Sequence, residues 1–147
     1  MEKKIFIGAD HAGFSAKEEL KPYLEGLGFL VEDLGNTMLD LNDDYPDFII
    51  PVAKAVAENP ESKGIVIGGS GQGEAIAANK VAGIRAALIY DEYSAKMSRE
   101  HNNANVASFG ARVLDVEKMK ELLRLWLDTP FSHEERHQRR IDKLNKE

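Results

Sequence analysis

The residues best suited to chemistry lie in one short stretch, Gly68-Gly69-Ser70-Gly71-Gln72-Gly73-Glu74, which follows the apolar run Ile65-Val66-Ile67 and leads into Ala75-Ile76-Ala77-Ala78-Asn79-Lys80. Closely spaced glycines let a backbone turn several N–H groups toward one point, and a helix starting there adds the positive end of its dipole. The stretch is therefore expected to form an anion cradle. It is not a P-loop, because no Gly-Lys-Ser/Thr follows, and not a dinucleotide fingerprint, because Glu74 stands where the last glycine belongs. A carboxylate at the mouth of such a cradle suits a general base. Proton removal beside a carbonyl leaves an enediolate, which backbone N–H groups with Ser70 can stabilise by about 3–4 kcal/mol per donor. Two plainer readings stand beside this one: a tight strand-to-helix turn with no ligand, and a Glu74 that only complements its helix N-terminus by about 0.3–1 kcal/mol.

Two histidines sit beside groups able to fix their tautomers: Asp10-His11 after the first apolar run, and His101 within Arg99-Glu100-His101-Asn102-Asn103-Ala104-Asn105. Tyr93, Met97 and His101 share four-residue spacing, so His101 reads equally well as a satisfied core histidine. Arg112 follows the last apolar run, and the C-terminal tail holds Arg136, Arg139 and Arg140. Arg136 and Arg140 are one helical turn apart and can grip a single phosphate, or simply line a solvated helix. The tail also contains His133-Glu134-Glu135-Arg136-His137, which matches H-E-x-x-H. That motif needs a buried helix, a third ligand and a dry cleft. No metal is expected here, and His137 reads as one more group near the arginines.

The elements that must position these residues show in the apolar pattern. Lys4–Gly8, Phe29–Leu34, Ile65–Ile67, Gly83–Ile89 and Asn105–Phe109 read as strands, each followed by a helix-like segment. Pro46 sits where a helix starts, and Phe48, Val52 and Val56 mark its inner face. Pro22 and Pro51 fall inside expected helices, where each removes a hydrogen bond at up to about 3 kcal/mol. The last core helix carries Val116, Met119, Leu122, Leu123 and Trp126 and is broken by Thr129-Pro130. The charged tail from Ser132 to Glu147 has only Ile141 and Leu144 as apolar anchors, too few to hold it on its own core, so it is expected to dock elsewhere. Continuous apolar strands alternating with helices mean a three-layer α/β fold with a buried parallel sheet. Ligands in such folds bind outside the carboxyl ends of the strands.

Composition narrows the function further. The chain has 147 residues, 43% hydrophobic and 30% charged, which fits a single domain over 1–147. Twenty-five acids against nineteen bases give a net charge of −6, which argues against nucleic acid and anionic membranes as partners. With no cysteine there is no disulfide, no thiolate nucleophile and no Cys-based metal site. Met1–Gly8 runs straight into a strand without the features of a signal peptide, and no apolar run approaches the ~18 residues of a membrane span, so a cytoplasmic location is expected.

Taken in order, Gly8-Ala9-Asp10-His11-Ala12-Gly13-Phe14, Asp44-Tyr45-Pro46-Asp47-Phe48, Gly68 to Lys80, Gly83-Ile84-Arg85-Ala86-Ala87-Leu88 and Arg99 to Val106 resemble type B ribose-5-phosphate isomerases. That family also contains galactose-6-phosphate isomerase subunits, and the resemblance covers essentially the whole chain. It implies a Rossmann-like α/β/α sandwich with a five-stranded parallel sheet and a C-terminal tail helix. It also implies a homodimer, or a tetramer of two dimers, whose active sites draw on both subunits, with the tail 132–147 packing on the partner. The implied reaction is cofactor-free interconversion of ribose 5-phosphate and ribulose 5-phosphate in the non-oxidative pentose phosphate pathway. A six-carbon sugar phosphate such as allose or galactose 6-phosphate is the alternative substrate, and non-catalytic sugar-phosphate binding is the alternative role.

Carried over residue by residue, the resemblance implies that Asp10 and His11 line the sugar and phosphate site, with Tyr45 nearby. His101 would help open the furanose ring with Asn102 beside it. Gly69, Gly71 and Gly73 would form the anion hole, and Ser70 would move a proton between two oxygens. Arg112, Arg136 and Arg140 would hold the phosphate, the two tail arginines coming from the other subunit, and His137 would lie close. Many members place a cysteine at the start of the glycine loop, where this chain has Gly69 within Ile67-Gly68-Gly69-Ser70. A second branch lacks that cysteine and carries a glutamate after the loop, which resembles the arrangement here and makes Glu74 the base.

Overall fold

The computed structural model describes residues 3–147. In chain order they form β1 (Lys4–Ala9), α1 (Phe14–Gly26), β2 (Leu30–Asp33), α2 (Pro46–Glu58), β3 (Lys63–Gly68), α3 (Gln72–Asn79), β4 (Ala86–Leu88), α4 (Glu92–Glu100), β5 (Val106–Gly110), α5 (Val116–Asp128) and α6 (Glu135–Leu144). The five strands make one parallel sheet in the order β2-β1-β3-β5-β4. β1, β3 and β5 are its buried centre, which is why they read as unbroken apolar runs. β2 and β4 are edges, and both are shorter than the sequence suggested, Leu30–Asp33 rather than Phe29–Leu34 and Ala86–Leu88 rather than Gly83–Ile89.

Two apolar clusters cover the two faces. Leu20, Leu24, Ala95, Met119, Leu122, Leu123 and Trp126 from α1, α4 and α5 pack on one side with Ile5, Ile7, Ile65, Ile67 and Phe109. Ile49, Val52, Ala53, Val56, Ala77 and Ala78 from α2 and α3 pack on the other with Phe6, Val66 and Val106. The result is the expected three-layer α/β/α sandwich. Pro46 opens α2, and Pro22 and Pro51 lie well inside their helices. Both are tolerated because they sit on solvent faces. The carbonyls they leave free, at Glu18 and Asp47, belong to exposed residues that water can satisfy.

Consecutive connections leave β1 and β3 in opposite directions, so the crevice between their carboxyl ends is the topological switch point. The segment entering it after β2 is anchored from below. Lys17, wholly buried, pairs with Asp33, whose other oxygen accepts the Gly35 N–H at 2.9 Å. Ala9 donates to the Gly35 carbonyl at 2.8 Å and accepts from Asn36 N–H at 2.9 Å, so the segment is pinned to the end of β1.

Part of the tail packs on its own chain. Its helix α6 folds back on its own chain and buries His137 (5% exposed) and Ile141 (3%), while Phe131 (6%) and a 3.2 Å bond from Ser132 N–H to the Glu100 carbonyl seat the approach. Apolar counting missed this because one of the anchors is an imidazole. No helix among the described residues is long and apolar enough to cross a membrane.

Candidate active site

The loop between β3 and α3 is built around close approaches that only glycine permits. Gly71 has φ +81°, and a Cβ there would come within 2.7 Å of Leu88 Cδ1. Its carbonyl accepts a 2.7 Å hydrogen bond from the buried Ser108 hydroxyl on β5, which fixes the turn from beneath. Ser70 is exposed, with Oγ accepting from Gln72 N–H at 3.2 Å. α3 then begins at Gln72, placing Glu74 in its first turn.

Glu74 is buried to 4% exposure beneath this loop. Burial pushes its carboxyl above the ordinary value and the Asp10 carboxylate adds to the rise, while the backbone N–H groups of Glu74 itself and of Gly71 oppose it. The neighbouring glycines show how tightly it is fitted. A side chain at Gly68 would overlap the Glu74 carboxylate, one at Gly69 would come within 2.9 Å of the Arg112 guanidinium, and one at Gly73 within 2.6 Å of the Tyr45 ring. This corrects the expectation at one position. The place from which another side chain would reach the spot held by Glu74 is Gly68, not Gly69.

At the end of β1, Asp10 is 8% exposed, and one oxygen accepts from Ala12 N–H at 3.0 Å and Gly13 N–H at 3.3 Å, shaping the turn into α1. His11 follows, with Nδ1 2.7 Å from Asp43 Oδ1. That hydrogen bond raises the His11 pKa; burial opposes the rise, the Asp10 and Asp43 charges reinforce it, and Arg112 again opposes it. Arg112 is placed by its own N–H donating to the Gly69 carbonyl at 3.0 Å. The carboxyl ends of β1, β3 and β5, together with the start of α2, thus gather Asp10, His11, Tyr45, Gly69, Ser70, Gly71, Gly73, Glu74 and Arg112 at the switch point.

Asp43 is the member the sequence did not disclose. It stands in a run of four acids between Asp40 and Asp47, and nothing in the run marks it out. Ligating atoms of Asp10, His11 and Asp43 lie within 4.8 Å of one another, so these are the residues able to hold a cation. A cation there would have to displace the His11–Asp43 hydrogen bond.

The remaining expected residues are elsewhere. His101 caps the C-terminus of α4, and its ring stacks on His137 of α6 with centroids 4.2 Å apart and planes 16° apart. The reading of His101 as a core residue with Tyr93 fails, since Tyr93 is 71% exposed. Arg136 and Arg140 project from α6 near His137, whose pKa is lowered by burial and by the His101, Arg136 and Arg140 charges, with Glu134 opposing. His137 Nε2 is buried without a hydrogen-bond partner, the nearest carboxylate oxygen being Glu134 Oε2 at 3.6 Å. The H-E-x-x-H reading fails as geometry. His133 has φ +60° and lies before α6 begins, so it does not share a helical face with His137.

Helices in this fold run against the strands, so the end of α4 lies at the amino edge of the sheet, where Ala104 N–H meets the Ser98 carbonyl and Asn105 N–H meets that of Arg85. Asn102 belongs to the same turn, its carbonyl accepting from Arg85 Nε at 2.8 Å. β5 alone separates the two edges by about 13 Å. Among the described residues no hydrogen bond or ion pair joins Glu74, Asp10, His11 or Arg112 to His101, Asn102, Arg136, His137 or Arg140. A cavity of ≈ 620 Å³ also lies at the amino edge, against Arg85, Asn102 and Leu144, while one of ≈ 330 Å³ opens beside Ser70, Gln72, Tyr90 and Val113.

Fold and site define a doubly wound α/β protein with a buried carboxylate beneath a glycine loop at the switch point of its sheet. The chain belongs to the ribose/galactose isomerase family, whose model it matches over residues 5–144. It is 44% identical over 141 residues to ribose-5-phosphate isomerase B of Mycolicibacterium paratuberculosis, covering 96% of this chain and 89% of that one. It is 43% identical over 142 residues to the Escherichia coli ribose-5-phosphate isomerase B, covering 97% and 94%. The crystal structure of ribose-5-phosphate isomerase B from Mycoplasma genitalium with bound ribulose-5-phosphate superposes with a TM-score of 0.96 at 41% identity, covering 99% of this chain and 96% of that one.

Proposed function

We propose that this chain is a cofactor-free isomerase of ribose 5-phosphate and ribulose 5-phosphate, working through a cis-enediolate with Glu74 as the base. The observation that carries the mechanism is the carboxylate itself: 4% exposed, raised in pKa by burial, and set under a glycine loop at the N-terminus of α3. The ionised Glu74 takes the C2 proton of the open-chain aldose, and the released electron pair forms the C1–C2 double bond while negative charge gathers on oxygen. Ser70 passes a proton between the two oxygens, and protonated Glu74 returns its proton to C1. Electrons and atoms balance within the sugar, so no redox partner is needed. Asp10 and Tyr45 face the sugar, and Arg112 with His11 faces its phosphate. The names of the relatives and the ribulose-5-phosphate bound to the Mycoplasma genitalium protein support the choice of substrate.

Completing the site takes a second copy. His101, Asn102, Arg136, His137 and Arg140 form a coherent cluster at the wrong edge of their own sheet, and a two-fold partner places its cluster over this chain's glycine loop. There the partner's imidazole assists ring opening and its arginines close on the phosphate. Three features fit that docking: the unpartnered His137 Nε2, and beside the loop the exposed Ile76 (61%) and Tyr90 (56%).

The test is the rate of ketose formation from ribose 5-phosphate with EDTA present, for the wild-type protein and Glu74→Gln. Rapid metal-independent turnover, reduced at least about 10³-fold in the variant, is the expected outcome. Wild-type rates in Glu74→Gln remove the base assignment. Activity on allose 6-phosphate alone moves the substrate to the six-carbon class, and silence on both sugars leaves a binding protein.

A further inference from the structure

Asp43 is the acid for which the isomerisation has no use, yet it is the most committed of its loop. Its side chain is 5% exposed, although Asp40 and Asp44 on either side are open to solvent. One oxygen, Oδ1, serves a single residue twice, accepting the backbone N–H of His11 at 3.2 Å and meeting its ring Nδ1 at 2.7 Å. The other, Oδ2, accepts from Asn36 Nδ2 at 3.4 Å. Asn36 is 2% exposed and donates its own N–H to the Ala9 carbonyl, so the carboxylate is held against the end of β1 on both sides. An ionised carboxylate can only accept, so the proton sits on Nδ1 and Nε2 becomes the ring's one free polar atom.

We propose that Asp43 is the positioning residue for His11, locking the ring through Nδ1 and turning Nε2 toward the anionic group of the ligand beside Arg112. The proposal rests on the sugar-phosphate reading of the same site. The charged groups facing the ring are Asp43 and Asp10, which favour the imidazolium, and Arg112, which opposes it together with burial. The net direction is upward from the ordinary histidine value, in keeping with the short Nδ1 contact to Asp43. A dianionic phosphate then meets a guanidinium and an imidazolium N–H instead of a guanidinium alone.

Nitrogen-15 NMR of the histidine rings tests this directly, because the chain has four histidines and a His11→Asn variant assigns the signal. In the wild-type protein His11 is expected to keep its proton on Nδ1 through the neutral range, to titrate above the ordinary histidine value, and to shift at Nε2 on addition of inorganic phosphate. Asp43→Ala returns the midpoint to the ordinary value or below it. The KM for ribose 5-phosphate near pH 7.5 then rises roughly tenfold while kcat falls far less. Asp43→Asn, which keeps an acceptor without the charge, restores the Nδ1 tautomer and not the midpoint.

An Nε2–H tautomer in the wild-type protein overturns the proposal without any variant having to fold, and an unchanged His11 titration in Asp43→Ala overturns it as well. A wild-type protein that shows the expected His11 signals and phosphate response but turns over no ribose 5-phosphate removes the isomerase reading and leaves the Asp43 assignment standing.

Discussion

Glu74 is costly to the fold for the same reason that it suits the proposed chemistry. Burial raises its pKa, so between the ordinary carboxylate value and the raised one the folded chain holds a proton that the unfolded chain has released. In that window unfolding releases protons, and stability falls as pH rises. Above it the native state carries the full cost of a desolvated charge. Glu74→Gln is therefore expected to melt higher than the wild-type protein at pH 7–8, with the difference vanishing below about pH 4.5. The wild-type kcat/KM is expected to fall on the acid side at a pH above that of an exposed glutamate. Thermal denaturation across pH checks the first claim, and a variant that melts lower at pH 8 sinks it. At this scale Glu74, Asp10 and Arg112 were legible because residue type and loop position suffice to mark them. Asp43 was not, since only the tertiary approach of its loop to the end of β1 separates it from the acids around it.

The elements divide by what holds them. β1, β3 and β5 were legible because strands buried on both faces carry their own signature, and the turn into α3 because glycines followed by a helix are a local signal. What seats α6 on its own chain was not legible, since it includes an imidazole stack between His137 and His101 that no hydrophobic count contains. The turn carrying that stack is held by two desolvated arginines rather than by an apolar core. Arg99, 7% exposed, donates to the Thr129 carbonyl at 3.0 Å, Asn103 Oδ1 at 2.9 Å and the Ala104 carbonyl at 2.7 Å. Arg85 grips the Asn102 and Asn103 carbonyls from the other side, and Asn103 itself has φ +46°. A lysine cannot reproduce that fork. Arg99→Lys is expected to lose about 2 kcal/mol of stability, because buried carbonyls are left without donors, and to loosen His101 and Asn102 together. Urea denaturation measures the loss, and an unchanged midpoint means that water or the lysine satisfies the turn.

For the whole molecule the decisive fact is that the residues of the proposed site stand at opposite edges of one sheet. A base and an anion cradle at the carboxyl edge cannot be served by histidines and arginines about 13 Å or more away beyond the strand ends. The proposed two-fold dimer resolves this by pairing unlike edges, so each site takes Glu74 from one copy and Arg136 from the other. Two inactive variants should then rescue each other. Glu74→Gln spoils one half-site and leaves the arginine cluster intact, while Arg136→Ala does the reverse. When the two are unfolded together at equal concentration and refolded, random pairing makes half of the dimers hybrid. Each hybrid contains one site with both halves intact and one with both spoiled, so activity should recover to about a quarter of the wild-type value. Refolding each variant alone provides the control, and the recovered activity should vary with the mixing ratio and peak at equal proportions. Sites complete within a single chain would give the average of the two variants at every ratio. That linear dependence would overturn the shared-site dimer.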